Sequence, residues 1–262
     1  MRTRTETVEN LKRCYTELET LIEDLSADEW AVQSLCPDWD VKGVVIHLAS
    51  VEHVLRGWVP TPEDSVPPFD QVGPFTERAA ALATDDLVAE VRSILAARRA
   101  DLDAITDEEF ARDSMTPVGP GTYHRFMDIR VFDFWVHQRD ITHPLGRSTD
   151  DGGPAAETAV DEVDMSIGYI VGKKIGLPDG TSIAFRLTVP VERSILAAVE
   201  GRAARVDELA DPTVEVTVDS TTFVQLACGR IDPQGAIDDG RISWSGDDEW
   251  GEKAARNLAF TM

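Results

Sequence analysis

Hydrophobic residues recur at helical spacing in four segments of the first 150 residues. The second segment runs from Val41 to Leu55 behind Asp38 or Asp40, either of which can cap its N-terminus. The third spans about 85–105 and the fourth about 124–142. Four amphipathic helices joined by loops predict an antiparallel bundle. The first helix has its apolar stripe at Val8, Leu11, Cys14, Tyr15, Leu18, Leu21, Ile22 and Leu25.

The stretches between the later helices are predicted as loops. PTPEDSVPPFDQVGP, residues 60–74, is rich in proline and has no periodicity, and TPVGPGTY, residues 116–123, is rich in glycine and proline. A loop as long as the first lies over the surface of a domain and is long enough to form part of a pocket rim.

The pattern changes after residue 150. Residues 154–174 have a helical period, and the apolar period then shortens toward two. We therefore predict three parts: a helical bundle over 1–150, a connecting helix and linker over 151–180, and an α+β domain over 181–262. The predicted strands are 182–189, 194–200, 213–219 and 240–246, and the predicted helices among them are 220–230 and 248–260.

Three side chains on the second and fourth helices suggest a metal site. Asp133 and His137 are four residues apart, so one helix face directs a carboxylate and an imidazole toward the same point. His47 on a neighbouring helix would supply a third ligand. Three protein ligands leave a position for water or substrate, which is typical of a catalytic metal rather than a structural one.

Each of these residues has an ordinary structural explanation as well. His47 lies among aliphatic residues and is also typical of a core histidine with a hydrogen-bonded ring. Asp133 interrupts an aromatic run, where a carboxylate is costly unless it is paired or binds a metal; the alternatives to a metal are an ion pair with Arg130 or Arg139, or a hydrogen bond with His137.

The other histidines are weaker ligand candidates. His53 is six residues after His47, roughly 240° around the helix. His124 and His143 lie at the two ends of the fourth helix, where histidine is ordinary capping material.

Composition limits the partners and the location. The 262 residues carry a formal net charge of −23, which repels polyanions and argues against nucleic acid or an anionic membrane surface as partner. The hydrophobic content of 42% indicates a globular core, and no apolar run is long enough to span a membrane. The N-terminal residues lack the apolar segment of a signal peptide, so we expect a cytoplasmic protein. The three cysteines form no CxxC pair.

Two motifs resemble a known family. CPDWDVKGVVIHLASVEHVL, residues 36–55, and RVFDFWVHQRDI, residues 130–141, resemble the second-helix and fourth-helix signatures of the mycothiol-dependent maleylpyruvate isomerase family. That family is part of the DinB-like superfamily of metal-binding four-helix bundles. Residues 211–233 and 240–260 resemble its C-terminal domain, which is similar to sterol carrier proteins. The resemblance thus implies a DinB-like bundle followed by a sterol carrier-like α+β domain.

The resemblance also implies a cofactor and a reaction class. His47, Asp133 and His137 fall where the family places its metal ligands, usually of zinc. The family's characterised isomerase has glutamate where this chain has Asp133, which keeps the ligand chemistry but shifts the metal. The implied co-substrate is mycothiol, whose thiol attacks an electron-poor carbon. The expected activity is a maleylpyruvate-type cis-trans isomerase or an S-transferase, and the partners are therefore a small-molecule substrate and a low-molecular-weight thiol.

Three further residues are candidates near the site. Arg130 is one turn before Asp133 and would bind substrate or thiol, or else form an ion pair behind the site. Asp140 follows His137 by three residues and would orient its imidazole, or else remain a solvated helix-end acid. Arg230 resembles a family arginine near the interdomain cleft that would bind a carboxylate, or else forms a surface salt bridge.

Another function and another metal both fit the same residues. The alternative to an enzyme is a non-catalytic small-molecule or lipid-binding protein with a structural or vestigial metal site. A site of histidine and carboxylate ligands also accepts nickel, iron or manganese. The sequence leaves the oligomeric state open.

Overall fold

A computed structural model describes residues 2–261, and the chain divides into two units between Thr149 and Asp150. Residues 151–180, predicted as a connector, therefore belong to the second unit. The helices of the first unit are α1 (Arg4–Asp24), α2 (Val41–Leu55), α3 (Val72–Ala80), α4 (Thr84–Ala104), α5 (Asp107–Phe110) and α6 (Tyr123–Thr142). Among the described helices, none has both the length and the apolar character needed to cross a membrane.

The four long helices pack as a bundle around one apolar core. Both α4 and α6 contact α1 as well as α2, so each long helix has two neighbours in the bundle. Most of the stripe on α1 is buried, with Leu11, Cys14 and Leu18 fully enclosed, while Leu21 and Leu25 at its end are partly exposed. The prediction of a helical bundle in the N-terminal part of the chain is confirmed.

Side-chain caps fix where the long helices begin. Thr3 and Glu6 form a reciprocal capping box at the start of α1. Of the two aspartates proposed for α2, Asp40 is the cap, and its carboxylate accepts from the backbone N–H of Gly43 at 2.7 Å. Thr122 caps α6 by accepting from the backbone N–H of Arg125.

Two elements of the first unit lie where the sequence predicts loops. The end of the 60–74 stretch forms a turn, Phe69–Gln71, and then begins α3, which buries Phe75 and Ala79 and packs against α2. A short hairpin of β1 (Asp113–Thr116) and β2 (Gly119–Thr122) precedes α6. Both strands are only four residues long, and glycine and proline make up most of β2, so the sequence shows no clear strand pattern there.

The second unit is a five-stranded sheet with helices. The strands are β3 (Ser182–Thr188), β4 (Arg193–Glu200), β5 (Arg202–Arg205), β6 (Val214–Asp219) and β7 (Ile242–Gly246), in the order β5-β4-β3-β6-β7. β3 and β6 are parallel and the other neighbours are antiparallel. The helical elements are α7 (Gly153–Met165), α8 (Ile167–Tyr169), a π-helical turn (Ile170–Ile175), α9 (Ser220–Ala227), α10 (Pro233–Asp238) and α11 (Asp248–Arg256).

The predicted α+β fold of this unit is confirmed, with local differences. The helix predicted over 154–174 breaks at Ser166. The strand β5 and the helix α10 were not predicted because β5 has only two strand repeats and α10 has fewer than two full helical turns, too few to reveal a period. Helices α9 and α11 end three or four residues earlier than predicted. The core lies between the sheet and its helices, where the rings of Phe185 on β3 and Phe223 on α9 are 5.5 Å apart.

Candidate metal site

The three predicted ligands come together in the first unit. Helix α2 supplies His47, and α6 supplies Asp133 and His137 one turn apart. One ligand atom from each lies within 4.8 Å of the others. Both imidazole Nε2 atoms are 3.4 Å from a carboxylate oxygen of Asp133, His47 from Oδ2 and His137 from Oδ1.

These separations fit ligands of one cation better than hydrogen-bonded partners. A good N–H···O hydrogen bond joins atoms 2.7–3.2 Å apart. Ligands at tetrahedral positions around zinc, each about 2.0–2.1 Å from the metal, are about 3.4 Å from one another. The Nε2 atom of His47 is buried and has no hydrogen-bond partner. A buried nitrogen without a partner is costly, and a metal ion would satisfy it.

The site is more open on one side than on the other. The side chains of His47 and Asp133 are 27% and 21% exposed, whereas that of His137 is 7% exposed. Among the described residues, no fourth His, Cys, Asp or Glu joins this group of ligand atoms. A cation held here would therefore have three protein ligands and room for a further one, as in catalytic zinc sites.

Asp140 holds the imidazole of His137 from behind. Its Oδ2 atom is 2.8 Å from Nδ1 of His137, and the carboxylate is buried. Since a carboxylate only accepts, Nδ1 carries the hydrogen of this bond, and Nε2 is the ring nitrogen turned toward Asp133. This is the geometry of a carboxylate that orients a metal-bound histidine, and a solvated helix-end acid does not fit it.

Trp39 covers one face of the other imidazole. Its ring lies 4.8 Å from the ring of His47 at an angle of 25°, and the indole is partly exposed. A side chain at position 43 would meet the Cβ of Trp39 at 3.0 Å, so Gly43 leaves room for the indole against α2.

A buried ion network lies behind Asp133. Arg130 donates to Oδ2 of Asp133 and, through Nε, to Oε1 of Glu52 at 2.9 Å. The other oxygen of Glu52 accepts from Nε of Arg98 at 2.9 Å and from the hydroxyl of Tyr15 at 2.5 Å. Alternating charges thus run from Asp133 into the core of the bundle.

Charge and burial shift the pKa values of the ligands in different directions. Burial alone would raise the pKa of Asp133, but Arg130 and the two histidines outweigh it and lower that pKa well below its usual range. Burial would lower the pKa of His137, but Asp133 and Asp140 raise it well above the ordinary value. Burial lowers the pKa of His47, so its imidazole is neutral at pH 7. Glu52 keeps a lowered pKa despite its burial because Arg130 and Arg98 flank it.

The remaining predicted residues have different surroundings. Arg130 is only 3% exposed and also donates to the carbonyl of Leu48, so its position is that of the ion pair behind the site. Arg139 lies over the ring of Trp135 and donates to its carbonyl. Arg230, in the second unit, donates to the carbonyl of Cys228.

The other histidines lie outside the group of ligand atoms. The ring of His53 stacks on Phe75. His124, in the first turn of α6, contacts Thr7 of α1. His143 follows the last residue of α6 as its C-cap.

Three residues near the site were not assigned to it from the sequence. Glu52 and Arg98 are fully buried, and Cys36 in the loop before α2 contacts Asp140. A signal for the first two was present: Arg98 lies on the apolar stripe of α4, and Glu52 lies between Leu48 and Leu55 on α2. A charged residue in a buried stripe needs an opposite charge from another buried stripe.

Comparison with known proteins shows matches in both units. Residues 11–142 match the family model of the mycothiol maleylpyruvate isomerase N-terminal domain, and residues 157–253 match that of the MDMPI C-terminal domain. No curated protein sequence matches the chain at a significant level.

Solved structures share the fold at low identity. A crystal structure of a histidine-to-alanine mutant of the mycothiol-dependent maleylpyruvate isomerase aligns with a TM-score of 0.65 and 16% identity, over 94% of this chain and 96% of that chain. A crystal structure titled as the mycothiol-dependent maleylpyruvate isomerase aligns with a TM-score of 0.57 and 15% identity, over 88% and 93%.

Proposed function

Because the chain belongs to the mycothiol-dependent maleylpyruvate isomerase family, we propose that it is a metal-dependent enzyme that adds the thiol of mycothiol to an electrophilic small molecule. The observation that carries the proposal is the convergence of His47, Asp133 and His137, with ligand atoms within 4.8 Å of one another. Zinc is the metal proposed, since two imidazoles and a carboxylate with an open position form a catalytic zinc site.

The residues present fit such a metal. Nε2 of His47 is buried without a partner, and Asp140 holds Nδ1 of His137 so that Nε2 faces Asp133 and would bind the metal in exchange for its proton. Arg130 fixes one oxygen of Asp133, which keeps the carboxylate turned toward both histidines. When bound, the metal supplies positive charge that lowers the pKa of a coordinated thiol.

The side chains around the ligands set up the binding position. Trp39 covers one face of His47 and keeps water from that side of the ring. The exposed edge of His47 and Asp133 leaves an approach for the thiol and the electrophile. Reversible thiol addition turns the double bond of the electrophile into a single bond, which rotates before the thiol leaves, and an S-transferase releases the adduct instead.

The test compares two histidines of α2. His47→Ala removes a proposed ligand, whereas His53→Ala removes a histidine that stacks on Phe75 outside the site. We expect stoichiometric metal by elemental analysis in the unmodified protein and in His53→Ala, and near-zero metal in a folded His47→Ala. Calorimetry should show mycothiol binding that disappears after chelation.

Two results would contradict the proposal. Retention of stoichiometric metal by His47→Ala would refute the ligand assignment. Absence of metal from the unmodified protein, even after reconstitution with zinc, would favour a non-catalytic small-molecule-binding protein.

A further inference from the structure

Cys36 occupies a buried position beside the site without belonging to the proposed ligands. It lies in the loop that leads into α2 and is 5% exposed. Its Sγ atom is 3.1 Å from Oδ2 of Asp140, the same oxygen that accepts from Nδ1 of His137 at 2.8 Å. The Oδ2 atom of Asp140 thus accepts hydrogen bonds from both the thiol of Cys36 and the imidazole of His137.

The backbone around Cys36 is held on both sides. Its N–H donates to Oγ of Ser34 at 3.0 Å, and its carbonyl accepts from the side-chain amide of Gln33 at 2.7 Å. The next backbone N–H toward the N-terminus, that of Leu35, donates to the carbonyl of Asp140 at 3.0 Å. The loop is therefore bound to α6 at the residue whose carboxylate the thiol contacts.

Cys36, His137 and Asp140 also offer three ligand atoms within 4.8 Å, so a cation is an alternative explanation for their proximity. The distances of 2.8 and 3.1 Å to Asp140 favour hydrogen bonds. Nitrogen and oxygen ligands of one zinc ion would be about 3.4 Å apart, and a thiolate sulfur would lie about 3.5 Å from either of them. The short separations indicate donors on a shared acceptor.

We infer that Cys36 is a positioning residue for the metal site: its thiol donates to Asp140 and thereby fixes the carboxylate that orients His137. A second donor on Oδ2 restricts the rotation of this carboxylate about its Cβ–Cγ bond. The inference rests on the proposed function only where it concerns metal affinity. The effect of Cys36 on the orientation of His137 is expected in the metal-free protein as well.

The test uses the full chain with three substitutions. Cys36→Ala removes the donor, and Cys36→Ser keeps a hydroxyl that can donate to Asp140. Cys14→Ala removes a buried cysteine of α1 that is in neither group of ligand atoms and serves as the matched control. Zinc affinity is measured by chelator competition, the visible spectrum is recorded with cobalt(II), and nitrogen-15 NMR of His137 is recorded in the metal-free protein.

We expect Cys36→Ala to weaken zinc binding about three- to tenfold, less than the 10–100-fold typical of a carboxylate that contacts the ligand directly. The cobalt spectrum and the His137 ring signals should change with it. Cys36→Ser should restore most of each readout, and Cys14→Ala should leave all three unchanged.

Unchanged zinc affinity and unchanged His137 signals in a folded Cys36→Ala would overturn the inference. So would an equal change in Cys14→Ala, because that would reflect a general loss of packing. If the unmodified protein bound no metal but Cys36→Ala still shifted the His137 signals and Cys36→Ser restored them, the positioning role would stand and the proposed function would fail.

Discussion

The two units of the chain bury different kinds of side chain. Among the described residues, the Asp, Glu, His, Lys and Arg side chains buried in the first unit are those of Glu52, Arg98, Arg130, His137, Arg139 and Asp140. In the described part of the second unit, Glu162 is the only buried side chain of these types, and the other buried side chains are apolar or uncharged polar ones.

The difference shows that the first unit, and not the second, carries the energetic cost of several buried charges. Removing a charge from water costs several kcal/mol even when a partner compensates, and apolar residues of similar volume would stabilise a core at least as well. In the first unit, Glu52, Arg98 and Arg130 form a continuous chain to Asp133, so we attribute this cost to the orientation of the site.

The largest effect is expected where the buried charge is broken. Glu52→Gln keeps the side-chain shape but leaves Arg98 and Arg130 without their shared carboxylate. We expect a loss of about 3–5 kcal/mol in the free energy of unfolding, measured by denaturant titration.

The matched substitution in the second unit is Glu215→Gln. Glu215 pairs with Arg186, and both side chains are more than a third exposed. Its loss should cost at most about 1 kcal/mol. Equal effects of the two substitutions would remove the distinction between the units.

A smaller effect is expected from overpacking the second unit. A Cβ atom on Gly251 of α11 would lie 2.1 Å from Cδ1 of Trp244, whereas one on Gly235 of α10 meets no heavy atom within 4 Å. Gly251→Ala should destabilise the second unit by about 1–3 kcal/mol. Gly235→Ala should be neutral or stabilising by about 0.5–1 kcal/mol.

Metal content should not change in either glycine variant. The free energy of unfolding and the metal-to-protein ratio are measured on the same samples. Loss of metal in a fully folded Gly251→Ala variant would show that the site depends on the packing of the second unit and would contradict the expectation.

The smallest effect is the pH dependence of the metal-free protein. The pKa of His137 is raised above 6.5, so its contribution to stability is full below pH 6.5 and is lost as the pH rises through the raised value. The pKa of Asp133 is lowered below 3.8, so its contribution is present above that value and is lost as the pH falls. Stability should therefore be greatest between these two values and decline above pH 6.5, by at most about 1.4 kcal/mol per pH unit.

Zinc should oppose this decline, because a metal competes with the proton for His137 and binds more tightly as the pH rises. Unfolding of chelated and zinc-loaded protein from pH 5 to pH 8.5 checks the expectation, and His137→Gln should flatten the slope of the chelated form. Rising stability of the chelated protein above pH 6.5 would contradict it.

Periodicity and caps predicted the elements on which the proposed ligands lie. Helices α2 and α6 have long apolar faces and side-chain caps, so their position along the chain and the shared face of Asp133 and His137 followed from spacing. Helix α3 and the β1–β2 hairpin were missed because glycine and proline interrupt short segments whose stability comes from tertiary contacts.

Residue spacing along the chain could not predict the contacts of the network behind the ligands. Asp140 was predicted to orient His137 because it follows that residue by three positions. Cys36, however, contacts Asp140 from a loop 104 residues away along the chain. Glu52 and Arg98 lie on different helices, and their pairing depends on how α2 packs against α4. Local patterns predict faces of helices, while partners across faces require the packed structure.

The most direct test of the central claim is anomalous diffraction at the zinc edge from crystals of the zinc-loaded protein. The account predicts one peak within about 2.0–2.2 Å of Nε2 of His47, Nε2 of His137 and a carboxylate oxygen of Asp133. A peak among Cys36, Nδ1 of His137 and Asp140 instead, or no peak in either position, would contradict it.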